Sequence, residues 1–274
     1  MLRDLLIKKL TKKELDIVPR SFDIIGNKEK SVAIIEIPKE LKKEKAIATA
    51  LMKQHKNVKT VLAKASARRG TYRTYKLKLI KGNKNTVVTH VESGCRFLID
   101  PRKVYFSPRE GTERMRIAEK IKSNETVMIF FAGAGPFAVV IGKKARTKSI
   151  IGIEINPTAV KYFRQNVILN KLANVDVIKG DVKKQAKNFY KQCNRVIMPL
   201  PESAENYLEE AINCIKKGIV HFYCFSAEAE LKQKKRKIST TARKLKRRIK
   251  IVSVSKVLPY GPGVWKYRID FRVS

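Results

Sequence analysis

The chain is short of acids, cysteines, histidines and long apolar runs, and each shortage closes a class of function. Only 24 aspartates and glutamates face 61 lysines and arginines, a formal charge of +37 over 274 residues. Hydrophobic residues at 43% still suffice for a packed core, so this is a folded polycation rather than a basic disordered tail. Such an excess favours a polyanionic partner, nucleic acid before membrane, because each neutralised phosphate releases condensed counterions. A Lys- and Glu-rich composition also occurs in proteins from hot environments, where evenly spread lysines say little about partners. Cys95, Cys193, Cys214 and Cys224 stand far apart without C-x-x-C spacing, which argues against a zinc knuckle or a disulfide framework and for reduced core thiols. His55, His90 and His221 are equally scattered, and no metal site is expected. The longest nearly uncharged run, Val127 to Gly142, is interrupted by Gly133, Gly135 and Pro136 and falls short of the roughly 20 residues of a membrane span. The opening MLRDLLIKKL mixes charge with leucine and lacks an apolar signal core. A cytoplasmic, membrane-free monomer is the expectation.

What is present divides in two. Ser31 to Pro38 is β-rich, and Glu40 to His55 carries Leu41, Ala46, Ile47, Ala50 and Leu51 at helical spacing, so the chain is expected to open with a strand and then a helix. From Val58 to Tyr105 come short β-prone pieces separated by Gly70, Gly82, Asn83 and Gly94. Residues 1–111 therefore read as a small α+β domain. A helix from about Thr112 to Lys122 leads into residues 112–274, where apolar runs at 126–131, 148–155, 174–180, 194–200 and 219–225 alternate with amphipathic stretches. That rhythm is α/β with a mainly parallel sheet. The runs 249–258 and 264–273 are separated only by PYGPG, a hairpin connection that makes the closing pair antiparallel.

Phe131-Ala132-Gly133-Ala134-Gly135-Pro136-Phe137-Ala138 follows a predicted strand and opens a helix, matching G-x-G-x-x-A. Glu154 stands nineteen residues after Gly135, where a ribose-binding carboxylate would end the second strand. The motif indicates a nucleoside cofactor without choosing between NAD and S-adenosylmethionine, and a lone match in an apolar segment is as often simple packing. The antiparallel ending, Gly180-Asp181 after the third strand and Met198-Pro199-Leu200-Pro201 after the fourth favour S-adenosylmethionine. Phe131, Ala132, Gly133, Gly135, Pro136, Phe137, Glu154, Ile155, Asn156, Asp181, Val182 and Pro199 are the expected cofactor contacts. Asp181 serves equally as an N-cap, and Asn156-Pro157 starts a helix in any fold.

Arg20-Ser21-Phe22-Asp23-Ile24-Ile25-Gly26, Tyr105-Phe106-Ser107-Pro108-Arg109, Gly111-Thr112-Glu113-Arg114, FAGAGPF and PYGPGVW, in this order, resemble the archaeal and eukaryotic family of tRNA guanine-37 N1-methyltransferases and its wyosine-pathway branch. The resemblance covers nearly the whole chain and begins with the family's middle domain, which implies that the separate N-terminal domain of some members is absent. It implies a class I, Rossmann-like methyltransferase domain preceded by an RNA-facing domain, both gripping a tRNA anticodon loop. Methylating guanine at N1 requires a base for the N1 proton, a cation for charge spreading to O6 and a rigid pocket. By resemblance Glu113 matches the family's general base, Arg73 the arginine near the guanine oxygen, and Tyr105, Ser107 and Arg109 the segment where cofactor and target base meet. Without the family, Glu113 reads as a helix-start carboxylate, and the tyrosine and arginine as a domain seam.

The target nucleotide must be splayed out of its loop, with Phe137, Tyr105 and Tyr260 as aromatic candidates. Residues 232–250 carry eleven basic residues and no acid. Lys234, Lys235, Arg236, Lys237, Arg243, Lys244 and Arg247, with Arg114 and Tyr260, are the expected RNA contacts, a solvated face being the ordinary explanation of a charge run. Two positions depart from the family pattern. Ile129 replaces an acid at the end of the first strand, and Pro199 replaces the asparagine of an N-x-P motif. Both keep several outcomes open: guanosine methylation alone, additional C-methylation of the 4-demethylwyosine intermediate, transfer of the aminocarboxypropyl group, or a non-catalytic tRNA-binding protein, with NAD oxidoreduction the remotest.

Overall fold

A computed structural model describes residues 2–66, 70, 72 and 75–274. They form two compact units, Met1–Gly111 and Thr112–Ser274. Arg73, the expected cation at the guanine oxygen, lies outside the described residues.

The first unit opens with a 3-10 turn, Asp4–Leu6, and helix α1, Lys12–Asp16, not with a strand as the sequence suggested. Leu2, Leu6 and Leu10 recur every fourth residue and are buried, which hides a helical period among the charges. Thr11 and Glu14 form a capping box that starts α1. Strand β1, Phe22–Gly26, then pairs antiparallel with β2, Ser31–Ile35. Helix α2, Glu44–Gln54, buries Ile47, Ala48, Ala50 and Leu51 and carries the chain to β3, Val58–Lys64, parallel to β2. Strand β4, Leu77–Gly82, returns antiparallel on β3 and completes the order β1-β2-β3-β4. A hairpin of β5, Val88–Glu92, and β6, Cys95–Ile99, follows. Its turn residues Ser93 and Gly94 both have positive φ, the backbone twist that a two-residue hairpin needs.

The second unit begins within α3, Gly111–Glu119, and runs through β7 (Thr126–Phe130), α4 (Pro136–Lys144), β8 (Ser149–Glu154), α5 (Pro157–Leu169), β9 (Val175–Lys179), α6 (Val182–Gln185), β10 (Cys193–Met198), α7 (Leu208–Cys214), β11 (Ile215–Ala227), α8 (Leu231–Lys244), β12 (Ile249–Gly261) and β13 (Val264–Val273). The sheet order is β12-β13-β11-β10-β7-β8-β9. Strands β7 to β11 are parallel to their neighbours among themselves, while β13 lies antiparallel between β11 and β12. On the central strands Met128, Val196 and Val220 are buried on one face and Val127, Ile129 and Ile197 on the other, the two-sided burial that a helix-covered sheet demands. Chain direction across the sheet reverses between β7 and β10, which opens a crevice at the carboxyl ends of those strands.

All four cysteines are free and buried. Among the described residues no helix is long and apolar enough to cross a membrane, and no group of three or more His, Cys, Asp and Glu is placed to hold a metal ion.

Candidate active site

The glycine loop leaves β7 at the reversal point. Phe131, Gly133 and Gly135 all have positive φ, so the chain turns three times within five residues. Gly135 is required twice over: its φ is +82°, and a Cβ there would lie 2.0 Å from Phe163 Cδ2 on α5. The buried Asn166 amide donates to Ala134 O at 2.9 Å and pins the loop to the same helix.

Glu154, at the end of β8, is buried and anchored by main-chain amides. Its Oε2 accepts from Gly133 N–H and its Oε1 from Asn156 N–H, each at 2.7 Å. Burial pushes its pKa up, and those backbone donors offset part of the rise. A carboxylate has about four acceptor sites, more than these backbone donors fill, so Glu154 can still accept from a ribose hydroxyl. Asn156 caps α5 through Thr158 N–H at 2.9 Å, while Ile155 beside it is half-buried. Asp181 caps α6 by accepting from Lys183 N–H at 2.7 Å, so its capping role is realised, and Val182 behind it is buried. Pro199 follows β10 and is half-buried. Ile129, paired with Ile197 in register, is buried at the centre of the sheet. A loop that tolerates no Cβ at Gly135, backed by an anchored carboxylate, suits a nucleoside cofactor.

Phe137, in the first turn of α4, packs against Tyr223 on β11 with ring centroids 6.2 Å apart. The Tyr223 hydroxyl in turn donates to Glu113 Oε1 at 2.7 Å. The glycine loop and the expected base are thus one aromatic contact and one hydrogen bond apart. Glu113 is buried, and Arg268 from β13 donates a second bond to Oε1 at 2.5 Å. Among the described residues Oε2 is buried with no hydrogen-bond partner, and Arg116 Nη1 lies 3.9 Å from it.

Behind Arg268 runs a buried polar chain that the sequence did not reveal. Asp270 Oδ1 accepts from Arg268 Nε at 2.8 Å and lies 2.7 Å from His221 Nδ1. Arg195 Nη1 meets His221 Nε2 at 2.7 Å, and Arg195 closes on Glu125 at 2.6 and 2.9 Å. A guanidinium only donates, so His221 accepts at Nε2 and donates from Nδ1 to Asp270. Burial first, then Arg195 and Arg268, pushes the His221 pKa down against the pull of Asp270. Burial opposes ionisation of Asp270, but His221 and Arg268 outweigh it and hold the carboxyl well below the usual range. The register explains the assembly: His221 faces Asp270 and Tyr223 faces Arg268 across β11 and β13, two residues apart and so on one face. The available signal is the alternation Lys266, Arg268, Asp270, Arg272 along β13, which reads as a solvent-facing strand, whereas the first three are buried.

The remaining expected residues are placed as follows. In the first unit Tyr105 is partly exposed, Ser107 precedes the 3-10 turn Pro108–Glu110, and Arg109 pairs with Asp23 at 2.6 Å, so two of the quoted motifs meet. In the second unit Arg114 is buried. On α8 and just beyond it, Arg236, Lys237, Arg243 and Lys244 are exposed and Lys235 is half-buried. Lys234 pairs with Glu205 at 3.0 Å, and Arg247 donates to the carbonyls of Ile215 and Lys216. Tyr260 is exposed and stacks on Phe225 at 3.7 Å.

The strand order, the reversal-point glycine loop and the carboxylate after the second strand define a class I, Rossmann-like methyltransferase. The TRM5/TYW2 methyltransferase domain matches residues 88–252, and the TYW2 N-terminal domain matches residues 2–86. The tRNA (guanine(37)-N(1))-methyltransferase Trm5b of Pyrococcus abyssi is 41% identical over 94% of this chain and 76% of its own. The tRNA (guanine(37)-N(1))/4-demethylwyosine(37)-methyltransferase Taw22 of Nanoarchaeum equitans is 33% identical over 92% of this chain and 99% of its own. Among solved structures, P. horikoshii TYW2 in complex with MeSAdo superposes with a TM-score of 0.82 at 25% identity, covering 99% of this chain and 97% of that one. The chain belongs to the TRM5/TYW2 methyltransferase family.

Proposed function

We propose that the protein methylates N1 of guanosine 37 in the tRNA anticodon loop, using S-adenosylmethionine. The observation that carries this reading is the buried Glu113 carboxylate, linked through Tyr223 to Phe137 of the glycine motif, with one oxygen held by Tyr223 and Arg268 and the other without a hydrogen-bond partner among the described residues. Family membership supplies the substrate class. Gly133, Gly135 and Glu154 would hold the adenosine portion, with Asp181 and Pro199 at the mouth. When bound, the cofactor would supply an electrophilic methyl on a sulfonium for N1, the carbon–sulfur electron pair staying with sulfur.

Glu113 accepts the N1 proton, so one proton leaves the base for each methyl that arrives. Arg73 is assigned the charge growing on O6, and its permanent cation suits an enolate-like oxygen. The exposed cations of α8 and the Tyr260–Phe225 platform face the nucleic acid, and the first unit contributes RNA recognition. Tyr105, Ser107 and Arg109 are assigned to the target nucleotide and cofactor.

The test is mass analysis of position 37 after incubation with S-adenosylmethionine and unmodified tRNA. A methyl on N1 is expected, and an aminocarboxypropyl adduct overturns the reading. Glu113→Gln should bind cofactor with undiminished heat while its single-turnover rate falls at least ~10²-fold; an unchanged rate removes Glu113 as base. A second reading, additional C-methylation of the 4-demethylwyosine intermediate, is favoured by the likeness to the Taw22 of Nanoarchaeum equitans and by Pro199 in place of asparagine. The same assay on tRNA carrying that intermediate decides it.

A further inference from the structure

Glu113 is faced from three elements. Arg116 approaches from its own helix, Tyr223 from β11 and Arg268 from β13. Tyr223 has Lys266 Nζ 4.9 Å from its ring centroid. Arg268 touches Asp270 through Nε and Ser255 through Nη2. Asp270 Oδ1 also meets His221 Nδ1, and Oδ2 accepts from Ser253 Oγ at 2.9 Å.

Charge alternates along this chain. Glu125 is an anion, Arg195 a cation, His221 neutral in a fixed tautomer, Asp270 an anion, Arg268 a cation and Glu113 an anion. A planar guanidinium gripped by Asp270 at Nε has Nη1 directed at a single carboxylate oxygen. Tyr223 donates to the same oxygen, so among the described residues both side-chain donors to Glu113 fall on Oε1.

We propose that Arg268 is a positioning residue for proton removal. With Tyr223 it immobilises Oε1 of Glu113, leaves Oε2 to take the proton from N1, and compensates the buried charge that this carboxylate must carry before each turnover. The inference rests on Glu113 being the base. It goes further by assigning the two oxygens different tasks and by giving β13 a part in the reaction.

Removing one member of a buried ion pair leaves an uncompensated charge, which takes up a proton instead. Arg268→Met should therefore lower the single-turnover rate at neutral pH about tenfold or more. Raising the pH should restore the rate, with the acid limb of the pH–rate profile displaced upward by about 1–3 units, the range set by an adjacent opposite charge. Arg268→Lys, which keeps the charge, should return the limb most of the way. Glu113→Gln should stay slow at every pH. Without substrate or cofactor, pH-difference infrared spectroscopy should show a carboxylic C=O band titrating higher in Arg268→Met than in the wild type, and absent from the Glu113→Gln, Arg268→Met double variant.

An unmoved acid limb in Arg268→Met, with Glu113→Gln still slow, overturns the role of Arg268 and spares the base. A fast Glu113→Gln overturns the base itself. Should Arg268→Met fail to fold, Tyr223→Phe removes the other donor to Oε1 and must move the limb in the same direction by a smaller amount; no movement overturns the proposal.

Discussion

The two sides of the seven-stranded sheet build their sites from different materials. On the β7–β8 side, main-chain amides hold a carboxylate: Gly133 and Asn156 present N–H groups to Glu154, and glycines keep side chains out of the way. On the β11–β13 side, side chains hold side chains: Tyr223 and Arg268 fix Glu113, and Asp270 with His221 fixes Arg268. A backbone site fails by steric exclusion, largely independent of pH. A side-chain site fails electrostatically, and its failure depends on protonation.

The largest effect belongs to the charged side. Asp270→Ala strips Arg268 and His221 of their shared acceptor and should cost about 3–5 kcal/mol, the usual penalty for breaking a buried pair, measured by denaturant unfolding. A loss below about 1 kcal/mol would show that the chain is not electrostatically closed and would dissolve the contrast. On the backbone side, Gly135→Ala must displace Phe163 and hold a side chain at φ +82°. The expected cost is about 1–3 kcal/mol, with calorimetric heat of cofactor binding lost at both pH 6 and pH 8. Recovery of that heat at either pH would contradict a purely steric origin.

The smallest effect is in the pH dependence of stability. His221 is held neutral when folded but charges in the unfolded chain below its ordinary value of about 6.5. The unfolded state then binds more protons, so stability is complete above that pH and declines as pH falls through it. Asp270, also depressed in the folded state, adds loss in the same direction below its unfolded value of about 3.9. Unfolding free energy measured from pH 8 to pH 5 should slope accordingly, and His221→Gln should flatten that interval.

The same contrast governs what could be read in advance. The glycine loop, Glu154 and the cap at Asp181 lie within fifty-one residues of one another and rest on local conformational demands, which leave marks such as G-x-G-x-x-A. The parallel strands and the closing hairpin were legible for the same reason. Tyr223 and Arg268 stand 110 and 155 residues from Glu113, and their meeting depends on which strands become neighbours. The alternation on β13 suggests a wet face, and only the sheet order with β13 between β11 and β12 converts it into a buried one. The N-terminal leucines were missed differently: their four-residue period is plain once α1 and its cap are placed, but intervening lysines mask it.

Phe163 carries one more implication. Its ring fills the space of a Cβ at both Gly135 and Gly152, so a single aromatic gauges the clearance between a cofactor loop and the strand next to it. Drift at these three sites is therefore concerted. Position 152 can gain a methyl only in a lineage that has first trimmed the ring, whereas position 135 stays locked by its handedness even then.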